Sequence, residues 1–181
     1  MSKAIVIGGG IIGLSSALYL RRSGWEVTVL DKSDFGDNCS YGNCGYICPS
    51  HFIPLATPGI VKQGLKWMWN SKSPFYVQPR LDWNLMSWGL KFIRSATKDH
   101  VATAAVPLRD IALLSKKEYE SWLQLPAFDF AYEQKGLLEI FQTAEGAEHA
   151  RHTVEKAHEL GLSDTKLLTK EELQSLEPHT T

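Results

Sequence analysis

The sequence predicts an α/β chain that opens with a strand–helix–strand unit, and three observations carry this. Ala4–Ile7 is a short apolar run bounded by glycines, which reads as a buried parallel strand. Ile11, Ile12, Leu14, Ala17, Leu18 and Leu20 then follow a helical pattern that Gly24 stops. Val27–Leu30 is a second buried strand, ending at Asp31. Strand, glycine turn, helix and strand fit within about thirty residues, the size of a βαβ unit.

After Lys32 the composition changes. Residues 34–54 are rich in Gly, Asn, Ser, Cys and Pro and predict a long ordered loop, of the kind that usually carries function. Thr57–Pro58 is an N-cap and first-turn signal for a helix with Ile60, Val61, Gly64, Leu65 and Met68 on one face. Asp82 can cap a second helix presenting Leu85, Trp88, Gly89, Phe92 and Ile93, and a third is marked by Leu108, Ile111, Ala112, Ser115, Tyr119, Trp122 and Leu123. Strand character returns over Gly136–Phe141. A helix follows from about Glu145 to Leu160, with Ala147, Ala150, Val154 and Ala157 inward and Gly161 as its stop. Thr169 and Glu172 form a capping box for a last short helix ended before Pro178. There is no internal repeat.

Composition narrows the function classes. The chain is 44% hydrophobic and 22% charged, the balance of a folded protein. Nineteen basic against twenty acidic residues give a net charge of −1, which sets nucleic-acid binding aside. Three cysteines fit a reducing compartment better than a disulfide framework. The uncharged run Ala4–Leu20 has the flanks of a targeting segment, but four glycines interrupt it and it is short for a bilayer span.

Those glycines have a better account. Gly8-Gly9-Gly10-Ile11-Ile12-Gly13 is G-x-G-x-x-G between a strand and a helix, with Asp31 ending the next strand eighteen residues after Gly13. Gly8 permits the tight turn, Gly10 lets a pyrophosphate approach the backbone, and Gly13 lets helix and strand pack closely. The helix start, at Ile11 and Ile12, offers unpaired N–H groups and the positive end of its dipole to phosphates. Asp31 accepts ribose hydroxyls. A dinucleotide site is the expectation, and the fingerprint alone leaves NAD and FAD both open.

The next segment bears on that choice. Cys39-Ser40-Tyr41-Gly42-Asn43-Cys44-Gly45-Tyr46-Ile47-Cys48-Pro49-Ser50 resembles the T-S-x-A-N-A-G-x-x-S-P motif of FAD-dependent D-amino-acid dehydrogenases, within the wider family of D-amino-acid oxidase, glycine oxidase and sarcosine oxidase. Arg80-Leu81-Asp82, Trp88, Phe92-Ile93-Arg94, Gly136-Leu137-Leu138 and Leu168-Thr169 through Glu177-Pro178 continue the likeness along essentially the whole chain. Two departures stand out. Asp31 replaces the more usual Glu, and Cys39, Cys44 and Cys48 stand where small residues are usual.

The resemblance implies FAD as cofactor, with Ser40, Asn43 and Gly45 as contacts beside Gly8, Gly10, Ile11, Ile12, Gly13 and Asp31, and Lys32 flanking the nucleotide. It implies oxidation of a D-amino acid or related amine to an imine and then a 2-oxo acid. It also implies a Rossmann-like FAD-binding part over residues 1–54, a helical region over 55–130, and the start of an α+β substrate domain over 131–181. On that pattern the chain reads as incomplete, to be completed by a C-terminal half or by association through unpaired strand edges. The competing readings are a nicotinamide-dependent reductase, disfavoured by the loop after Asp31, and a nucleotide-binding fragment without activity.

Cys39, Cys44, Cys48 and His51 have the composition of a zinc site, but their C-x₄-C-x₃-C-x₂-H spacing lacks a C-x₂-C knuckle, so no metal is expected. Trp67, Trp69, Trp83 and Trp88 crowd the helical section and suit either core packing or a membrane surface. The expected location is cytoplasmic, with peripheral contact at an inner membrane as the alternative. His100, His149, His152, His158 and His179 fall on polar segments and form no triad with a nucleophile.

Overall fold

The structure is a computed structural model that describes residues 1–61, 64, 67 and 80–180. It divides into two compact units, Met1–Tyr46 and Ile47–Thr181.

The first unit contains β1 (Lys3–Ile7), α1 (Ile11–Arg22) and β2 (Glu26–Leu30). The strands pair in parallel, from Lys3 opposite Glu26 to Ile7 opposite Leu30. Gly8 N–H donates to the Leu30 carbonyl at 2.7 Å, carrying the ladder into the glycine turn. Ala4, Val6, Val27 and Val29 are half-buried, whereas the alternate residues Ile5 and Ile7 remain 68% and 87% exposed. Period-two alternation therefore leaves one sheet face apolar and bare among the described residues. Arg21 and Arg22 in the last turn of α1 suit its dipole. The helix ends as its glycine predicts: Gly24, at φ +83°, donates to Arg21, and Trp25 donates to Leu20. This is a Schellman cap, in which a left-handed glycine lets two terminal carbonyls find donors.

In the second unit four helices each start from a side-chain cap, two of them read from the sequence (Asp82 and Thr169) and two not (Thr97 and Thr143). The Asp82 carboxylate accepts from Asn84 and Leu85 N–H at the head of α2 (Trp83–Ser95). Thr97 caps α3 (Lys98–Trp122), and Thr143 caps α4 (Ala144–Glu159). Thr169 and Glu172 close a reciprocal capping box on α5 (Lys170–Leu176). Gly161 ends α4 in a second Schellman cap, with Leu162 N–H on the Ala157 carbonyl at 2.9 Å. The core joins Phe52, Ala105, Ala157 and Leu162. Phe52 is fully buried, and enclosing such a ring stabilises a fold by about 1.5–3 kcal/mol.

Two expectations need correction. The third helix starts ten residues before Leu108 and runs through Pro107, despite the hydrogen bond that proline deletes. Thr97 caps its start, Ala105 packs into the core, and Arg109 Nη1 reaches the Leu160 carbonyl at 2.7 Å, so tertiary contacts carry the helix across the proline. Residues 136–141, read as a strand, are not one. Gly136 takes a φ of +82°, and no neighbouring strand among the described residues receives their backbone. A β pattern becomes a strand only when it has a ladder partner. The helix expected after Thr57 shows helical residues at Ile60, Val61 and Gly64, while Leu65 and Met68 lie outside the described residues.

Candidate nucleotide site

The parallel register brings the C-terminal ends of β1 and β2 side by side, so the glycine turn and Asp31 become neighbours. Gly9 N–H donates to Asp31 Oδ2 at 2.6 Å. The other oxygen, Oδ1, accepts from Ser33 N–H at 2.9 Å and from Ser33 Oγ at 3.1 Å. These bonds favour the ionised form, the Gly9 N–H most, and hold the Asp31 carboxyl below its usual range. A carboxylate anchored in this way beside a helix N-terminus is ready to accept hydroxyl donors.

The turn itself is shaped for close approach. Gly8 sits at φ +106°, a conformation that side chains resist. A Cβ on Gly13 would collide with the Gly8 carbonyl oxygen, so α1 lies on the turn as closely as backbone allows. The cradle exists only while these positions lack side chains. A dinucleotide pyrophosphate needs such a cradle, and the residues present fit one.

Ser40 joins this cluster from 29 residues away. Its Oγ accepts from Ile11 N–H at 2.9 Å, at a helix start where Gly10 has no side chain to cap with. Ile12 is 81% exposed in the same turn. Asn43 and Gly45 stay within the loop: Gly45 N–H donates to Asn43 Oδ1 at 2.6 Å, and Asn43 Nδ2 donates to the Ser40 carbonyl at 2.6 Å. Lys32 is exposed just after Asp31. Gly8, Gly10, Ile11, Gly13, Asp31 and Ser40 are thus brought together, whereas Asn43 and Gly45 shape the loop that delivers Ser40.

Sequence reasoning missed how that loop is ordered. Asp31, Asp34, Asn38 and Asn43 each accept the N–H two residues on, from Ser33, Gly36, Ser40 and Gly45. Such Asx turns replace a ladder with local bonds, and the repeated Asx-x-Gly/Ser spacing was the signal. Phe35, which packs its ring on Gly9, left no signal of its own.

The cysteines do not assemble a metal centre. Cys39, Cys44 and Cys48 are free thiols, the first two exposed, and no group of three or more His, Cys, Asp or Glu among the described residues could hold an ion. Burial, then the Glu139 charge, pushes the Cys48 thiol up, away from the thiolate that a metal would need. His51 Nε2 lies 3.7 Å from Glu139 Oε1, an exposed pair.

The Asp31 bonds predict a pH response. A carboxyl whose folded pKa is depressed contributes stability that is present above its unfolded value of about 3.9 and is lost as pH falls through the folded value. Wild type should therefore lose more stability than Asp31→Asn between pH 5 and acid extremes. Parallel acid melts that coincide across that window would remove this role.

A parallel strand pair joined through a glycine turn, a helix N-terminus and an acidic strand end is the arrangement that dinucleotide-binding proteins share. Comparison with known proteins specifies the class. Residues 3–181 match the DAO family, FAD dependent oxidoreductase, and the chain belongs to that family. It is 33% identical to a D-amino acid dehydrogenase of Vibrio cholerae over 143 residues, 78% of this chain and 34% of the relative. It is 35% identical to one of Helicobacter pylori over 146 residues, covering 81% and 35% respectively. A third, from Granulibacter bethesdensis, is 29% identical over 148 residues, covering 81% and 35%. The chain spans about a third of the length of these curated relatives. No solved structure gives a significant match. FAD is the cofactor of the family.

Proposed function

We propose that this chain carries the FAD-binding start of an oxidoreductase that converts the C–N bond of a D-amino acid or related small amine to an imine, which hydrolyses to a 2-oxo acid and ammonia. One observation carries the reading: an ionised Asp31 held against the glycine turn that leads into α1. The names of the relatives supply the substrate class. FAD, when bound, supplies the two-electron acceptor. Gly8, Gly10 and Gly13 open the approach for its pyrophosphate, with Ile12 N–H facing the phosphates beside Ile11, whose N–H is held by Ser40 Oγ. Asp31 takes the ribose hydroxyls, Ser40, Asn43 and Gly45 line the loop along the cofactor, and Lys32 flanks the nucleotide. Such proteins bind, orient and tune the cofactor rather than provide its electron chemistry.

Fluorescence titration with FAD tests this. Gly10→Val should abolish binding, since its Cβ would already lie 3.1 Å from Ser40 Oγ and its methyls would fill the phosphate approach. Equal affinity in wild type and variant removes the site.

A second reading concerns where the protein works. Six of the 19 basic residues but only one acidic residue, Asp82, fall between Asn38 and Lys98. Within that stretch, α2 exposes Trp83, Met86, Leu90 and Ile93 at helical spacing, with Lys91 and Arg94 on the same helix. No helix among the described residues is long and apolar enough to cross a membrane. An apolar stripe with cations beside it suits the surface of an anionic bilayer. The chain should sediment with anionic vesicles, release them in high salt, and ignore zwitterionic ones. Trp83→Ser with Ile93→Ser should abolish the interaction, and wild-type indifference to anionic vesicles would end this reading.

A further inference from the structure

Phe35 is the only non-glycine residue with a positive φ among the described residues, at +68°. Side chains resist that left-handed region because Cβ crowds the following carbonyl. Two polar contacts frame the residue: Gly36 N–H bonds back to Asp34 Oδ1 at 3.0 Å, and Asn38 Nδ2 donates to the Phe35 carbonyl at 3.0 Å. The conformation turns the ring onto the glycine run. A Cβ on Gly9 would collide with ring atom Cδ1 and lie 3.2 Å from Asp31 Oδ2. Ring edge, buried turn and carboxylate therefore meet at one point. The ring is not enclosed there, since Phe35 keeps 41% of its surface exposed.

An aromatic ring set with one edge on the glycine turn, in a residue that keeps 41% of its surface exposed, is suited to a flat heteroaromatic group. We propose that Phe35 is a specificity-determining residue of this site, taking the adenine ring of the dinucleotide by stacking while Asp31 takes the adjoining ribose. This rests on the dinucleotide reading above. It also accounts for Gly9, the one glycine of the run to which the fingerprint gives no part, because any side chain there would push the Phe35 ring away.

Binding of ADP, which carries adenine, ribose and pyrophosphate without the flavin, tests the assignment on the intact chain by calorimetry. Phe35→Gly keeps the backbone conformation, because glycine adopts a φ of +68° freely. It should weaken ADP by about fivefold or more, the scale of a lost base–aromatic stack. Phe35→Tyr, which retains the ring, should bind ADP as wild type does. Gly9→Ala should weaken ADP like Phe35→Gly, and combining the two should add little, because both remove the same contact. Unchanged affinity in Phe35→Gly, or an equal loss in Phe35→Tyr, overturns the proposal while leaving the dinucleotide site standing. Failure of wild type to bind either ADP or FAD overturns both.

Discussion

Gly13→Val is expected to destabilise the first unit more than any other single change at the turn, and to abolish FAD binding with it. The added Cβ meets the Gly8 carbonyl oxygen, which is backbone and cannot swing aside. Relief requires α1 to lift from β1, and Gly8 N–H then loses its bond to Leu30, so the parallel pair opens at the end that holds Asp31. Overpacking of this kind costs about 1–3 kcal/mol or more, a large share of what a small parallel unit has. Gly89→Ala provides the contrast. A Cβ there meets open space within α2, and alanine favours a helix over glycine by about 1 kcal/mol, so that variant should gain stability. Thermal melts of both variants check the pair. A Gly13→Val protein that melts with wild type and still binds FAD would show that helix and strand are not in close register.

The second large effect is on turnover. The 181-residue chain by itself, supplied with FAD, is expected to oxidise D-amino acids, glycine or sarcosine far below the usual enzymatic range of about 1–10³ s⁻¹. Among the described residues the nucleotide sheet has two strands, and Ile5, Ile7 and Leu30 leave its second face uncovered. A two-stranded sheet with an open face is marginal on its own. Hydride transfer also requires the substrate Cα to be held within reach of the flavin, and loss of that positioning alone removes several kcal/mol of rate acceleration. Dye-coupled assays across the substrate panel give the answer. Turnover inside the usual range would place every residue needed for catalysis within these 181. Activity that appeared only with a separately expressed C-terminal half of a relative would locate the substrate-positioning groups in that half.

How much of this was legible in advance depends on the range of the interactions. Gly24 and Gly161 as helix stops, Asp82 as a cap and the Thr169–Glu172 box all came from local pattern, and the structure shows each bond. Their physics is confined to one helical turn, so the sequence contains it. The neighbourhood of Gly8 and Asp31 was also legible, because a strand–helix–strand unit of this length pairs its strands in parallel with their C-terminal ends together. Legibility failed where a residue answers to something distant. Ser40 could be named from a motif, but not as the cap of Ile11 29 residues earlier. Phe35 offered no pattern at all, since its position follows from a left-handed backbone and a ring packed on Gly9.

The sequence by itself determined the βαβ opening, the glycine turn with its acidic partner, the start of α2, the stop of α4 and the capping box of α5. Each follows from residues within a turn of one another or from strict periodicity. Only the tertiary structure decided that α3 runs through Pro107, that residues 136–141 are no strand, and that Ser40 and Phe35 close on the turn. A helix crosses a proline only when packing outweighs the missing hydrogen bond, and a strand exists only beside another strand. A loop side chain reaches a helix start only when the chain between them folds back. All three outcomes depend on partners that no local window contains.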